Sequence, residues 1–178
     1  AVKGAAAEKM SDPTAAEETR YGTLIAPNLV APNHDHYFNF RLDFDVDGQA
    51  NTFMRTGLVP AEHDRDIPRT SMWVTRTVPA KTELEGRFKV NPDTPAMYHV
   101  MNMGAEGPLG HKPGYMIIPN NSVAYGPFDF AGDTPMKRNA YIEYTFWNTP
   151  YAPDERYAGG DFAFQSDGSD TLAAWVEQ

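Results

Sequence analysis

Residues 31–48 read Ala31-Pro32-Asn33-His34-Asp35-His36-Tyr37-Phe38-Asn39-Phe40-Arg41-Leu42-Asp43-Phe44-Asp45-Val46-Asp47-Gly48. In a β-strand successive side chains point to opposite faces, and the stretch then divides into two sets. His34, His36, Phe38, Phe40, Leu42, Phe44 and Val46 share one face; Asp35, Tyr37, Asn39, Arg41, Asp43, Asp45 and Asp47 share the other. The expectation is a strand over residues 34–47 that ends in a turn at Asp47-Gly48 and pairs as a hairpin with residues 51–59.

Two histidines at i and i+2 on a strand present their rings side by side, the arrangement a metal ion needs from neighbouring ligands. A closed coordination sphere asks for at least one further protein ligand, and an all-nitrogen site with open positions suits copper or zinc. The spacing leaves open a pair of solvated strand histidines. Asp43 and Asp45 offer hard oxygen ligands side by side, which suits calcium. A solvated acidic strand end accounts for the same residues.

The order of these residues resembles the copper amine oxidases, enzymes that use a topaquinone made from one of their own tyrosines. In that family a His-x-His strand supplies two of three copper imidazoles and runs into an Arg-Leu-Asp-x-Asp-x-Asp-Gly segment; here these are His34-Asp35-His36 and residues 41–48. Ile67-Pro68-Arg69-Thr70-Ser71, Gly114-Tyr115-Met116-Ile117-Ile118-Pro119 and Tyr151-Ala152-Pro153-Asp154-Glu155-Arg156-Tyr157-Ala158-Gly159-Gly160 also resemble segments that follow in the same order. The likeness therefore covers nearly everything from residue 21 onward. It implies that His34 and His36 are copper ligands and that Asp43, the Phe44 carbonyl and Asp45 contribute to a calcium-type site. It also implies copper and topaquinone as cofactors, and a primary amine and dioxygen as substrates, with aldehyde, ammonia and hydrogen peroxide as products.

The family's quinone precursor lies upstream in a Thr-x-x-Asn-Tyr-Asp/Glu motif with no counterpart here. The nearest fragment, Arg138-Asn139-Ala140-Tyr141, stands downstream and has an alanine between Asn and Tyr. The family's catalytic aspartate and third copper histidine likewise have no match. The resemblance thus implies an internal segment of the catalytic domain, whose partners are the remaining segments of the same oxidase and, when intact, a second identical subunit. A non-catalytic metal-binding β-module with a structural calcium is the alternative.

Composition narrows the classes. A formal charge of −9 disfavours nucleic acid, because phosphate binding depends on clustered Lys and Arg, while a basic ligand such as an amine is attracted. With 41% hydrophobic and 12% aromatic residues the chain is globular rather than disordered, and no apolar run is long enough to span a bilayer. A soluble protein is expected, with no membrane partner. The absence of cysteine removes thiolate sites, so any metal is expected to take nitrogen or oxygen ligands.

Along the chain, Gly4 and Pro13 interrupt residues 1–20, which read as a loop or loosely ordered arm ahead of a partial catalytic domain over 21–178. Strands are expected at 21–25, 69–78, 87–90, 97–103, 115–118 and 141–147, a turn or one helical turn at 81–86, and an irregular region from 120 to 138. His99 and His111 have no neighbouring ligand in sequence, His63 reads as part of a solvated face among Glu62, Asp64, Arg65 and Asp66, and Glu83 and Glu85 read as surface charge. Many short strands punctuated by proline and glycine argue an all-β, antiparallel β-sandwich. The resemblance agrees, since the family's catalytic domain is a very large β-sandwich.

Overall fold

The computed structural model describes residues 1–62, 66, 68–119, 129–162 and 164–176. They form two compact units, Ala1–Asn39 and Phe40–Gln178, and both sheets are antiparallel.

The first unit is a three-stranded sheet in the order β1-β3-β2, with β1 at Lys3–Gly4, β2 at Gly22–Ala26 and β3 at Leu29–Pro32. Pro27-Asn28 makes the tight connection between β2 and β3. Asn28 adopts a left-handed φ of 61°, a conformation that asparagine tolerates better than most residues, and its side-chain amide donates to the Ala5 and Ala6 carbonyls.

Within residues 1–20, Lys3–Gly4 thus joins the sheet as β1, and Ala15–Glu18 forms a short helix, α1, where a loop or loosely ordered arm was expected. Pro13 precedes α1 and so does not interrupt it. The Glu18 carboxylate accepts the Ala6 and Ala7 N–H groups at 2.7 and 2.9 Å, and these bonds, Ala6 first, lower its pKa from the ordinary 4.5. A lowered carboxylate pKa stabilises the folded arm fully above the ordinary value, and that contribution is lost as pH falls through the lowered one. Amide exchange at Ala6 and Ala7 is expected to accelerate across that acidic window, and in Glu18→Gln to be fast already at neutral pH. Equal protection in both proteins would show that the carboxylate is not what holds the arm.

The second unit carries a four-stranded sheet in the order β5-β4-β6-β7, with β4 at Thr52–Pro60, β5 at Trp73–Pro79, β6 at Ala96–Met101 and β7 at Gly114–Ile117. One sheet face supplies Phe53, Tyr98 and Val100, which cluster with Val46 and pack against Phe44, Phe88, Phe146 and Ile117. The Tyr98 and Phe146 rings lie 4.7 Å apart and Phe53 and Phe88 5.5 Å apart, spacings at which aromatic pairs attract beyond simple burial. A second cluster joins Ala158, Leu172 and Val176 to Tyr141, Trp147 and Trp175, the tail turning into a short helix at Leu172–Val176.

Three further expectations are corrected. Residues 33–45 pair with no strand, and Phe38, Phe40 and Leu42 are 79, 82 and 63% exposed. The proposed hairpin fails because both edges of β4 are already hydrogen-bonded, to β5 and to β6, so no ladder remains for residues 34–47 to join. Residues 141–147 are not a strand: Ala140–Glu143 is a 3₁₀ turn, and only Phe146 bridges, to Phe88. Part of the irregular 120–138 region is a helix, Thr134–Arg138, whose N-cap Asp133 accepts the Met136 N–H at 2.9 Å. Asp133-Thr134-Pro135 carries a helix-start signal of cap residue and early proline. Residues 120–128 and His63 lie outside the described residues.

The mostly antiparallel sheet architecture, with few and short helices, is the β-sandwich class expected from the sequence. Among the described residues no helix is long and apolar enough to cross a membrane.

Candidate functional site

β3 ends at Pro32, and the chain leaves the sheet there with its next side chains in solvent. His34 and His36 are both exposed, yet they face each other: their ring centroids are 4.7 Å apart at an interplanar angle of 63°. Two imidazoles on one ion, with metal–nitrogen bonds of about 2.0–2.1 Å and ring centres about 1 Å beyond, have centroids about 4.2–5.1 Å apart when they subtend a right to tetrahedral angle. His34 Nδ1 lies 3.0 Å from the Pro32 carbonyl. A carbonyl only accepts, so Nδ1 carries the hydrogen and the lone pair is directed to Nε2, the tautomer control common among metal-ligating histidines.

Farther along, Asp43 and Asp45 are exposed while Phe44 between them is half-buried, its ring 6.0 Å from that of Tyr115. The apolar core thus anchors the backbone between two solvent-facing carboxylates. Arg41 donates to the Ala152 carbonyl at 3.2 Å and its guanidinium lies over the Tyr151 ring. The fold therefore joins residues 41–48 to residues 151–160, two segments that the sequence reading singled out separately.

The turn after Asp45 depends on a residue that the sequence reading passed over. Asp47 has φ 50° and Gly48 φ 119°, both in the left-handed region. Asn102, buried at the end of β6, donates to the Val46 and Asp47 carbonyls at 2.9 and 2.8 Å. Its Oδ1 accepts the Gly104 and Ala105 N–H groups at 2.8 and 3.1 Å. Asn51 completes the turn, accepting the Val46 N–H and donating to the Gly48 carbonyl. The Asn102-x-Gly104 spacing, an amide two residues ahead of a glycine, is the sequence signal that could have marked this side chain.

The other singled-out residues stay apart. His99 is half-buried on β6 and His111 exposed in a loop. Glu85 accepts the Lys81 N–H at 2.8 Å, whereas Glu83 is half-buried, and burial, then the charge of Glu155, raises its pKa. A cleft of about 340 Å³ opens beside Arg138, Tyr141, Tyr157, Gly160 and Asp161, where burial raises the Tyr141 phenol. Gly160 has φ 86°, which strains any side chain, and a Cβ there would lie 2.5 Å from an Asp170 oxygen, so the Asp170 carboxylate would have to move. Among the described residues no group of three or more His, Asp or Glu is gathered to hold a metal ion.

Comparison with known proteins places this geometry in a family. A family model described as copper amine oxidase, enzyme domain, matches residues 2–178, so the likeness reaches into the arm as well. A peroxisomal copper-containing amine oxidase alpha 2 of Arabidopsis thaliana is 38% identical over 164 residues, covering 91% of this chain and 24% of that protein. A primary amine oxidase of Lens culinaris is 35% identical, with 91% and 24% covered. A copper-containing benzylamine oxidase from Hansenula polymorpha superposes with a TM-score of 0.66 at 25% identity, over 89% of this chain and 25% of that one. The chain spans about a quarter of the length of the curated relatives it matches. It belongs to the copper amine oxidase family.

Proposed function

We propose that this chain forms part of the catalytic domain of a primary-amine oxidase, in which His34 and His36 are two of the copper ligands. The observation that carries the reading is the imidazole pair, with centroids 4.7 Å apart and His34 Nδ1 engaged by the Pro32 carbonyl. In the complete enzyme a primary amine, dioxygen and water would become an aldehyde, ammonia and hydrogen peroxide. Copper would supply the redox chemistry that converts a tyrosine to topaquinone. This chain's share would be to hold the two imidazoles side by side, with His34 as the Nδ1–H tautomer. The family's quinone-precursor motif has no counterpart in its sequence.

Within this reading residues 21–178 are the partial catalytic domain and residues 1–20 its leading arm. The exposed Phe38, Phe40 and Leu42 would be covered by other segments of the same oxidase or by a second subunit. Copper(II) titration followed by electron paramagnetic resonance tests the pair. One copper per chain with nitrogen hyperfine structure is expected, lost in His34→Ala and in His36→Ala and kept in His111→Ala. The same spectrum in all four proteins would refute the assignment.

Asp43, Asp45 and the Phe44 carbonyl would contribute oxygens to a calcium-type site, with waters and further oxygens completing the six to eight that calcium takes. Aromatic-sensitised terbium luminescence, with Tyr115 close to Phe44, is expected to fall at least about tenfold in the Asp43→Asn/Asp45→Asn variant, as first-shell loss outweighs the 10–100-fold effect of outer-shell changes. An unchanged signal would argue for solvated carboxylates. The alternative, a non-catalytic metal-binding module, draws on the absence of a third grouped ligand among the described residues. It predicts calcium binding without specific copper binding.

A further inference from the structure

The register of the second sheet brings together side chains that are scattered in sequence. Met54 on β4 is directly opposite His99 on β6, and His99 is directly opposite Met116 on β7. Met97 and Met101 stand two residues either side of His99 on its own strand. Residues paired across an antiparallel sheet share a face, and so do residues i and i±2 along a strand. One imidazole is therefore flanked by methionine in all four directions. Four of the eight methionines in the chain take these positions.

We propose that this face of β4, β6 and β7 is a thioether–imidazole site for a soft monovalent cation, copper(I) by chemical class, centred on His99 and ringed by Met54, Met97, Met101 and Met116. The face is opposite the aromatic core: Phe53, Tyr98 and Val100 point the other way along the same strands. Directly opposed Cβ atoms lie about 4.5–5.5 Å apart and i, i+2 positions about 6.5–7 Å apart. Three rotatable bonds let each methionine swing its sulfur over the ring.

Ligand chemistry selects the ion. Thioether sulfur with imidazole suits copper(I), whereas calcium and magnesium want oxygen, and none of the paired positions on this face is a carboxylate. The paired positions on it are Thr52, Thr56, Leu58 and Pro60 of β4, Trp73, Thr75, Thr77 and Pro79 of β5, and Gly114 of β7, besides the residues named above. None is charged. Among the described residues no hydrogen bond ties down the His99 ring. Met54 is buried, His99 and Met101 are half-buried, and Met97 and Met116 are exposed, so the site would be closed at its base and open to entry from solvent. A face built for packing alone would need apolar bulk but no sulfur, which gives the test its leverage.

The test uses silver(I), a redox-inert stand-in for copper(I), titrated into the chain labelled at its methionine methyls. A His34→Ala/His36→Ala background makes the outcome independent of the copper assignment above. Methyl resonances of Met54, Met97, Met101 and Met116 are expected to shift together and saturate at one ion per chain, while those of Met10, Met72, Met103 and Met136 stay in place. Met97→Leu/Met116→Leu keeps the apolar bulk and should weaken binding at least about tenfold, because even outer-shell changes around a metal cost 10–100-fold in affinity. His99→Phe should do the same. Shifts spread evenly over all eight methionines, or silver affinity unchanged in the leucine variant, would overturn the proposal.

Discussion

With His34 and His36 both replaced by alanine, a complete catalytic domain containing this chain is expected to lose amine oxidation by more than about a thousandfold, because removing members of a cooperating catalytic unit typically costs 10³ or more. Neither imidazole is needed for folding on the geometry seen here: both are exposed, and the hydrogen bond of His34 to the Pro32 carbonyl is local. Loss of activity with an unchanged unfolding midpoint between the metal-free proteins is thus the signature of lost metal. Copper content, measured by elemental analysis, provides a readout independent of turnover and is expected to fall with it. Full copper occupancy in the double variant would remove these residues from the copper site whatever the activity did. The 178-residue chain by itself should release no hydrogen peroxide from primary amines, since the quinone-precursor motif, the family's aspartate and the third histidine have no counterpart in its sequence.

The largest effect on stability is expected from Asn102→Ala. The side chain makes four hydrogen bonds, each worth about 0.5–1.5 kcal/mol net. The bond to the Val46 carbonyl is buried, and an unpaired buried carbonyl adds its own desolvation penalty. A loss of about 2–4 kcal/mol follows, read as a lower urea midpoint with unchanged slope. Asn102→Asp keeps the two acceptor bonds but sets a carboxylate against two carbonyls, so it should be no milder. Asn51→Ala, which loses two bonds of which one is exposed, should cost about half as much. A change under about 1 kcal/mol in Asn102→Ala would mean that water takes over the clamp.

The sequence by itself determined the class of the fold, the family and the pairing of the two histidines. These rest on local order along the chain: alternation marks β4 through β7, and His34-Asp35-His36 followed by residues 41–48 is a linear signature. An i, i+2 spacing brings two rings together in any extended backbone, so the ring pair needed no ladder. That is why it survives although the strand expected around it does not form.

Tertiary structure decided the rest, because each remaining question concerned partners distant in sequence. The apolar stripe from Phe38 to Val46 looks like a strand to any test of periodicity, but a strand exists only where an edge is free, and β5 and β6 occupy both edges of β4. The stripe reaches the core only at its end, through Phe44 and Val46. Asn102 becomes a clamp because β6 ends beside the Asp47-Gly48 turn, 55 residues away along the chain. His99, without a neighbouring ligand in sequence, stands among four methionines because antiparallel pairing opposes β4 and β7 to β6. Linear spacing determines which side chains share a face, and only the register determines what lies opposite them.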